Sequence, residues 1–452
     1  MKKSLVAMLL TLCFSPLAWA QTRLITEAKV PDRETRRRMG LDLLWHIRLP
    51  MTDPLDGLFS VQVMPWRTDP QILVQTRSGK VFLLDGETGD IIWRAQPPGT
   101  VLGGMLPAAF NSHSIYIVRG EWLDILNRAN GKMELYTWNK TTKVKKYGMR
   151  LKVDQLPPKL MPNPPPVPLS PPITTPVADE DNFIYTSGSK IICFAVPNYQ
   201  IPQKPPPPPE KGQKPPPDDG MRNPYQPDFM WMMMLGASTS QQFPIVTGSQ
   251  VAVLEKNGIF LSMEKYEDKT RYRFKAEGRI LAAGAQFNEI AYFGSEGQKV
   301  YALDVENGTV LWQPYVTAGP ILRKPNCNDR DVFVKADGDK FYRLDRETGQ
   351  GIWGNRDGNS FLAANRMFVY TRDTEGKLLI HDYVRGTVLA RYDMQAWQVS
   401  IPNEWTDRIY LGNHDGQILC MNHHDYPQAQ KMKSQNWFIK RIFPKKEKGK
   451  KG

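Results

Sequence analysis

The residues best suited to chemistry gather near the C-terminus: His414, Cys420, His423 and His424. A thiolate and imidazoles can share a soft metal. Cys420, however, falls on an apolar strand pattern, and His423-His424 on the turn beyond it. No second ligand pair completes a zinc spacing, so the structural role is favoured and no metal is expected. Asp337-Gly338-Asp339 has the carboxylates for calcium but lacks the twelve-residue ligand ladder; a hairpin turn explains it. The chain carries no Gly-x-Ser-x-Gly elbow, no phosphate-binding Gly-Lys-Ser/Thr loop and no His-Glu-x-x-His pair. With six His in 452 residues, a His-rich catalytic centre is not expected either. The chain is therefore read as a non-enzyme without cofactor.

The elements that carry these residues are repeats. Asp85-Gly86-Glu87-Thr88-Gly89 is followed by Ile91-Ile92-Trp93, Asp304-Val305-Glu306-Asn307-Gly308 by Val310-Leu311-Trp312, and Asp345-Arg346-Glu347-Thr348-Gly349 by Gly351-Ile352-Trp353. Asp382 to Gly386 is a fourth copy without the Trp, and Asn127 to Gly131 a weaker fifth. Gly308 and Gly349 are 41 residues apart, Gly349 and Gly386 37. Such a period matches one propeller blade. Each copy begins with a β-branched and aromatic run, such as 81–84. The Asp can accept backbone N–H groups in the turn, and the Gly supplies a positive φ. Gly79, Gly338, Gly376 and Gly416 mark a second hairpin ahead of what reads as the inner strand of each copy. Two hairpins make a four-stranded sheet that cannot bury both faces alone, so a ring of such sheets is required. Eight copies are counted, near 72–96, 114–138, 181–196, 250–275, 290–313, 331–353, 366–392 and 408–422. The last lacks its returning strand. Leu43-Leu44-Trp45-His46-Ile47-Arg48, within 41–50, has the right pattern to close the ring by pairing into it.

The Leu-Asp-x-x-x-Gly-x-x-x-Trp pattern resembles the PQQ-like (quinoprotein) β-propeller repeat, and the whole is similar to the BamB family of outer-membrane assembly factors. The resemblance covers most of 41–424. It implies an all-β propeller of eight four-stranded blades whose tryptophans dock neighbouring blades. Enzymes and binding scaffolds share this fold, so function must come from the site. The quinone dehydrogenases of the superfamily carry an adjacent Cys pair and often a Cys-x-x-Cys-His haem motif. Neither occurs here. The expected function is thus a non-catalytic envelope scaffold that binds proteins through propeller-face loops or strand addition. The alternative is a quinone-dependent dehydrogenase on the same fold.

Segments outside the repeats complete the reading. Lys2, Lys3, a short apolar run and Ala18-Trp19-Ala20 predict a signal peptide over 1–20, with cleavage read at Ala18 and Ala20 and export to the periplasm or cell envelope. An uncleaved anchor ranks second, and Leu12 argues against lipidation of Cys13. The propeller is assigned to 21–424. Cys193, Cys327 and Cys420 are widely spaced and read as buried core residues; one bridge among them stays open. Much of the 38 Pro falls in 157–180 and 197–229, which are expected to be extended insert segments flanking one blade, either a presented ligand or a partnerless loop. Phe229-Met230-Trp231-Met232-Met233-Met234-Leu235 reads as a strand or loop on the propeller's side in preference to an exposed docking patch. The tail, 425–452, has seven basic residues against one acid in 440–451, a large part of the formal charge of +13. It is expected to be a solvated end making at most weak contact with an anionic envelope surface. No nucleic acid partner and a monomeric state are expected.

Overall fold

In the computed structural model, the described residues are 28–431 except 52, 54–55, 66–69, 98–103, 120–121, 134–150, 153–171, 197–227 and 240–242. They form eight antiparallel four-stranded sheets arranged as a β-propeller. Blade 1 runs from its innermost strand outward as Leu58–Met64, Gln71–Thr76, Val81–Asp85 and Ile91–Ala95. Blades 2 to 7 follow in chain order over 109–152, 177–234, 245–275, 285–316, 326–355 and 360–392. Blade 8 is composite. Val399–Ile401, Ile409–Gly412 and Gln417–His423 come from the C-terminal part, and the outermost strand, Leu41–Arg48, comes from the N-terminal part. Its pairs run from Leu41 opposite His423 to Arg48 opposite Gln417.

The central strands of each blade read as continuous apolar runs because both faces are buried, with alternate side chains sent to opposite neighbours. Leu73, Val81 and Leu83 pack with Ile115, Ile117 and Leu126 of blade 2. Ile72, Val74, Phe82 and Leu84 pack instead with Tyr410, Ile418 and Cys420 of blade 8. Six more clusters of this kind fill the remaining junctions, so each of the eight blade-to-blade interfaces has its own core and the ring is closed.

The repeat residues build the junctions. Asp85 Oδ1 accepts Glu87 N and Thr88 N at 2.9 Å, and Gly89 N donates to Asp85 O at 3.0 Å with Gly89 at φ +76°. Asp304, Asp345 and Asp382 receive the same pair of turn amides. The turn glycine then forms the seat for the tryptophan of the preceding blade. A Cβ on Gly349 would lie 2.3 Å from Trp312, and one on Gly386 2.3 Å from Trp353. The indole N–H reaches past the seat to a backbone carbonyl. Trp93 donates to Arg128 O at 2.8 Å, Trp353 to Tyr383 O at 2.9 Å and Trp312 to Arg346 O at 3.3 Å. Trp45, from the ring-closing strand, sits on Gly89 and donates to Gly86 O at 3.0 Å. Blade 4 uses Tyr272 on Gly308 for the same purpose, its hydroxyl donating to Val305 O at 2.8 Å. Blade 7 has Ala390 at this position. There the buried Trp397 fills the junction and donates to Lys29 O at 3.3 Å.

Several expectations need correction. The strands that follow Gly79, Gly338, Gly376 and Gly416 are third strands, not inner ones. The innermost strands lie two elements earlier in each blade, and in blades 2 to 6 and 8 they are only two or three residues long. The insert boundaries are narrower than the Pro content suggested. Val177–Ala178 is the first strand of blade 3 and Asp228–Met234 its fourth, because both stretches are free of Pro and can complete a ladder. The Met-rich run lies in that outermost strand, with Trp231 buried and Met234 60% exposed. Residues 425–431 belong to the propeller and not to a free tail. Arg408, buried in blade 8, donates to Tyr426 O and Pro427 O, and Gln430 N donates to Asp407 Oδ1 at 2.9 Å. The rest of the tail, the signal residues Ala18 and Ala20, and most of both Pro-rich segments lie outside the described residues.

The sequence reading also passed over helix α1, Arg33–Met39. Its signals are an Asp32 N-cap that accepts Thr35 N at 2.7 Å and a Gly40 C-cap at φ +65°. Among the described residues no helix is long and apolar enough to cross a membrane.

Candidate functional site

Closing eight blades leaves a central channel, and its wall is made by the innermost strands. A cavity of about 470 Å³ is lined by Ser60 and Gln62 of blade 1, Asn111 of blade 2, Glu180 of blade 3, Phe243 ahead of blade 4, Gln286 of blade 5, Lys324 and Asn326 of blade 6, and Glu404 and Trp405 of blade 8. This volume is in the usual range for a small-ligand or side-chain pocket. Inner strands leave one edge unpaired toward the channel. Pro65, Pro107, Pro176, Pro244 and Pro402 stand beside them on the cavity wall, where a missing N–H costs no ladder bond.

The channel's charged groups are held by neighbours. Glu180 accepts Ser112 N at 2.8 Å and Ser112 Oγ at 2.5 Å. Burial pushes its carboxyl above the ordinary value despite those bonds. Asp179 and Asp181 both lie 2.8 Å from Lys265 Nζ of blade 4. Burial alone would pull that ammonium down, but the two carboxylates outweigh it and hold Lys265 above its ordinary value. Glu404 Oε1 accepts Asn326 Nδ2 at 2.9 Å and lies 3.8 Å from Lys324 Nζ. Lys324 also stands over the Phe243 ring, 5.2 Å from its centroid. Beneath the wall, Arg128 donates to Asn111 O at 2.8 Å and Pro65 O at 3.0 Å and so ties the inner ends of blades 1 and 2 together.

Such a surface can hydrogen-bond and stack against an inserted group. Among the described residues no His or Cys lines the cavity. The repeat residues Asp85, Gly89, Trp93, Asp304, Gly308, Trp312, Asp345, Gly349, Trp353, Asp382 and Gly386 lie at blade junctions, away from this wall. Cys193, Cys327 and Cys420 are buried and unbridged. Cys420 does not meet His423. In the strand Gln417–His423 they are three apart, so Cys420 faces blade 1 and His423 faces Phe368 of blade 7. Burial raises the Cys420 thiol well above its ordinary value, which makes it a poor ligand or nucleophile. His423 instead meets His424 and Asp425, a grouping whose carboxylate the sequence reading left out. The channel itself was not found from sequence either, because its residues come from seven blades and share no local pattern.

Comparison with known proteins agrees with this architecture. The family described as "Outer membrane protein assembly factor BamB" matches residues 229–366. The BamB of Yersinia pestis is 24% identical over 148 residues, which make up 29% of this chain and 37% of that protein. The match thus spans little more than a third of the relative's length. Among solved structures, BamB from Moraxella catarrhalis has a TM-score of 0.55 at 14% identity, covering 85% of this chain and 98% of its own. The computationally designed Ika8 protein has a TM-score of 0.50 at 11% identity, covering 81% and 96%. At these identities the superpositions speak to fold, and together with the repeats and the matched segment they make the chain a PQQ-like β-propeller related to BamB.

Proposed function

We propose that this protein is an exported, non-catalytic scaffold of the cell envelope that binds protein partners, as a monomer and without cofactor. The observation that carries the proposal is the state of the channel: Glu180 is bound by Ser112, Glu404 by Asn326, and Asp179 by Lys265. These carboxylates bond from one blade to another and so act as parts of the ring's framework. The name of the matched relatives, an outer-membrane protein assembly factor, supports the envelope setting, as does the signal pattern ending at Ala18 and Ala20. Strand addition has candidate edges on the rim, where outermost strands expose Ile92 of blade 1, Val316 of blade 5 and Leu389 of blade 7 at 43%, 62% and 55%. The basic tail adds only weak contact with anionic surface, and nucleic acid is not a partner.

The test is photo-crosslinking in intact envelopes from three positions: Ile92, Val316 and the channel residue Trp405. A discrete protein adduct from any of them supports the scaffold and tells rim from channel. Adducts from none of them would refute it. The quinone-dehydrogenase alternative is tested separately: purified protein given quinone and calcium should not reduce a dye with any alcohol or sugar substrate.

A further inference from the structure

Beyond the last strand of blade 8 the chain turns through His423, His424 and Asp425, whose side chains converge. His424 Nε2 lies 3.1 Å from Asp425 Oδ1, and His423 Nδ1 lies 3.7 Å from Asp425 Oδ2. The two imidazoles stack with centroids 4.7 Å apart. One donor atom from each of the three residues lies within 4.8 Å of the other two. Around a tetrahedral ion with bonds of about 2.0–2.1 Å, donors stand roughly 3.3 Å apart. The present spacing reaches that with about an ångström of side-chain movement.

The ligand atoms are oriented by groups outside the trio. His424 Nδ1 is 3.0 Å from Gly40 O. A carbonyl can only accept, so Nδ1 carries a hydrogen; the Asp425 carboxylate also only accepts, so the proton on Nε2 facing it is the one that an entering ion displaces. The Nδ1 bond is the one by which a backbone carbonyl fixes the tautomer of metal-bound histidines. His423 is held between the rings of Phe368, at 4.8 Å, and Tyr426, at 5.7 Å. Its Nδ1 accepts Asp425 N at 3.3 Å, a long bond that an ion would replace. The side chains of His424 and Asp425 are 55% and 56% exposed, so an ion and its waters have access.

We propose that His423, His424 and Asp425 form a site for one divalent transition-metal ion of the zinc type, with water completing its coordination. Two imidazoles and one carboxylate suit such an ion better than magnesium or calcium, which prefer all-oxygen sets. The site lies on the seam of the ring. Gly40, whose carbonyl holds His424, is the residue between helix α1 and the ring-closing strand, and Leu41 pairs with His423. A bound ion would hold His424 in the orientation that bonds Gly40 O, beside the pairing of the first and last strands.

The experiment uses the untagged full chain. Cobalt(II) titration followed by visible absorption, with zinc competition in calorimetry, should show one equivalent bound with a Kd below roughly 0.1 mM. His424→Ala and Asp425→Asn should each weaken binding at least tenfold, while His414→Ala, at an exposed turn, leaves it unchanged. Zinc at a hundredfold excess over Kd should raise the thermal midpoint by about 3 °C, and this shift should vanish in His424→Ala and not appear with magnesium. His424 and Asp425 are more than half exposed, and circular dichroism should show that each variant folds. Absence of a saturable cobalt spectrum, or equal affinity in His424→Ala and His414→Ala, overturns the proposal.

Discussion

At the scale of single residues, the junction rests on a glycine that must be a glycine for two reasons. Gly386 sits at φ +71°, and the face of Trp353 lies where its Cβ would be. Gly386→Ala should therefore cost about 2–4 kcal/mol, part from backbone strain and part from overpacking. In a Trp353→Ala background the same change should cost only about 1 kcal/mol. Urea denaturation of the four proteins measures the coupling, and equal costs in both backgrounds would show that the seat is not used. Asp407 offers a pH-dependent test. Its carboxyl is buried, Oδ2 has no hydrogen-bond partner, and burial pushes its pKa from 3.8 up to about 6. Between those values the folded chain keeps a proton that the unfolded chain has lost. The group thus favours the fold at low pH, and that contribution is lost as pH rises through 6. Asp407→Asn should raise the thermal midpoint more at pH 7.5 than at pH 4.5, with a difference of roughly 1–3 kcal/mol at most.

At the scale of elements, the weak point of a closed ring is the blade assembled from both ends of the propeller. The strand Leu41–Arg48 brings Trp45 to the junction with blade 1, and Arg408 supports the same seam. Arg408 Nη2 donates to Glu87 Oε2 of blade 1 at 2.8 Å with its side chain 1% exposed. Deleting 41–50 should lower the thermal midpoint sharply, since it removes the outermost strand of blade 8, leaves the Gln417–His423 edge unpaired and takes Trp45 from its seat on Gly89. Arg408→Ala should cost about 3–5 kcal/mol by chemical denaturation, because it leaves the mostly buried Glu87 carboxylate and the Tyr426 and Pro427 carbonyls without their donor. A loss below about 1 kcal/mol would mean that water already screens the pair.

At the scale of the whole molecule, eight similar interfaces make the ring one cooperative body, since opening any junction exposes two blade faces. Heating should give coincident transitions by tryptophan fluorescence and far-ultraviolet circular dichroism. Small-angle scattering should report a disc-shaped body. Separate transitions would mean that the seam at blade 8 opens first.

Much of this was legible in the residues. Asp85-x-x-x-Gly89-x-x-x-Trp93 and its copies specify a turn and a returning strand because the Asp bonds local amides, the Gly adopts a local φ, and the strand period is local too. Eight such units, and a stray strand at 43–48 able to complete the last, follow from counting. What the chain order concealed were relations across blades. Glu180, Gln286, Lys324 and Glu404 have no common spacing, and only ring closure brings them to one channel. Tyr272 replaces a tryptophan because its hydroxyl reaches the same carbonyls, which no repeat pattern predicts. Cys420 and His423 looked like neighbours in sequence, yet strand alternation sent them to opposite faces and left His423 beside Asp425. Local bonds can be read along the chain; contacts that depend on how sheets meet are decided only when the ring closes.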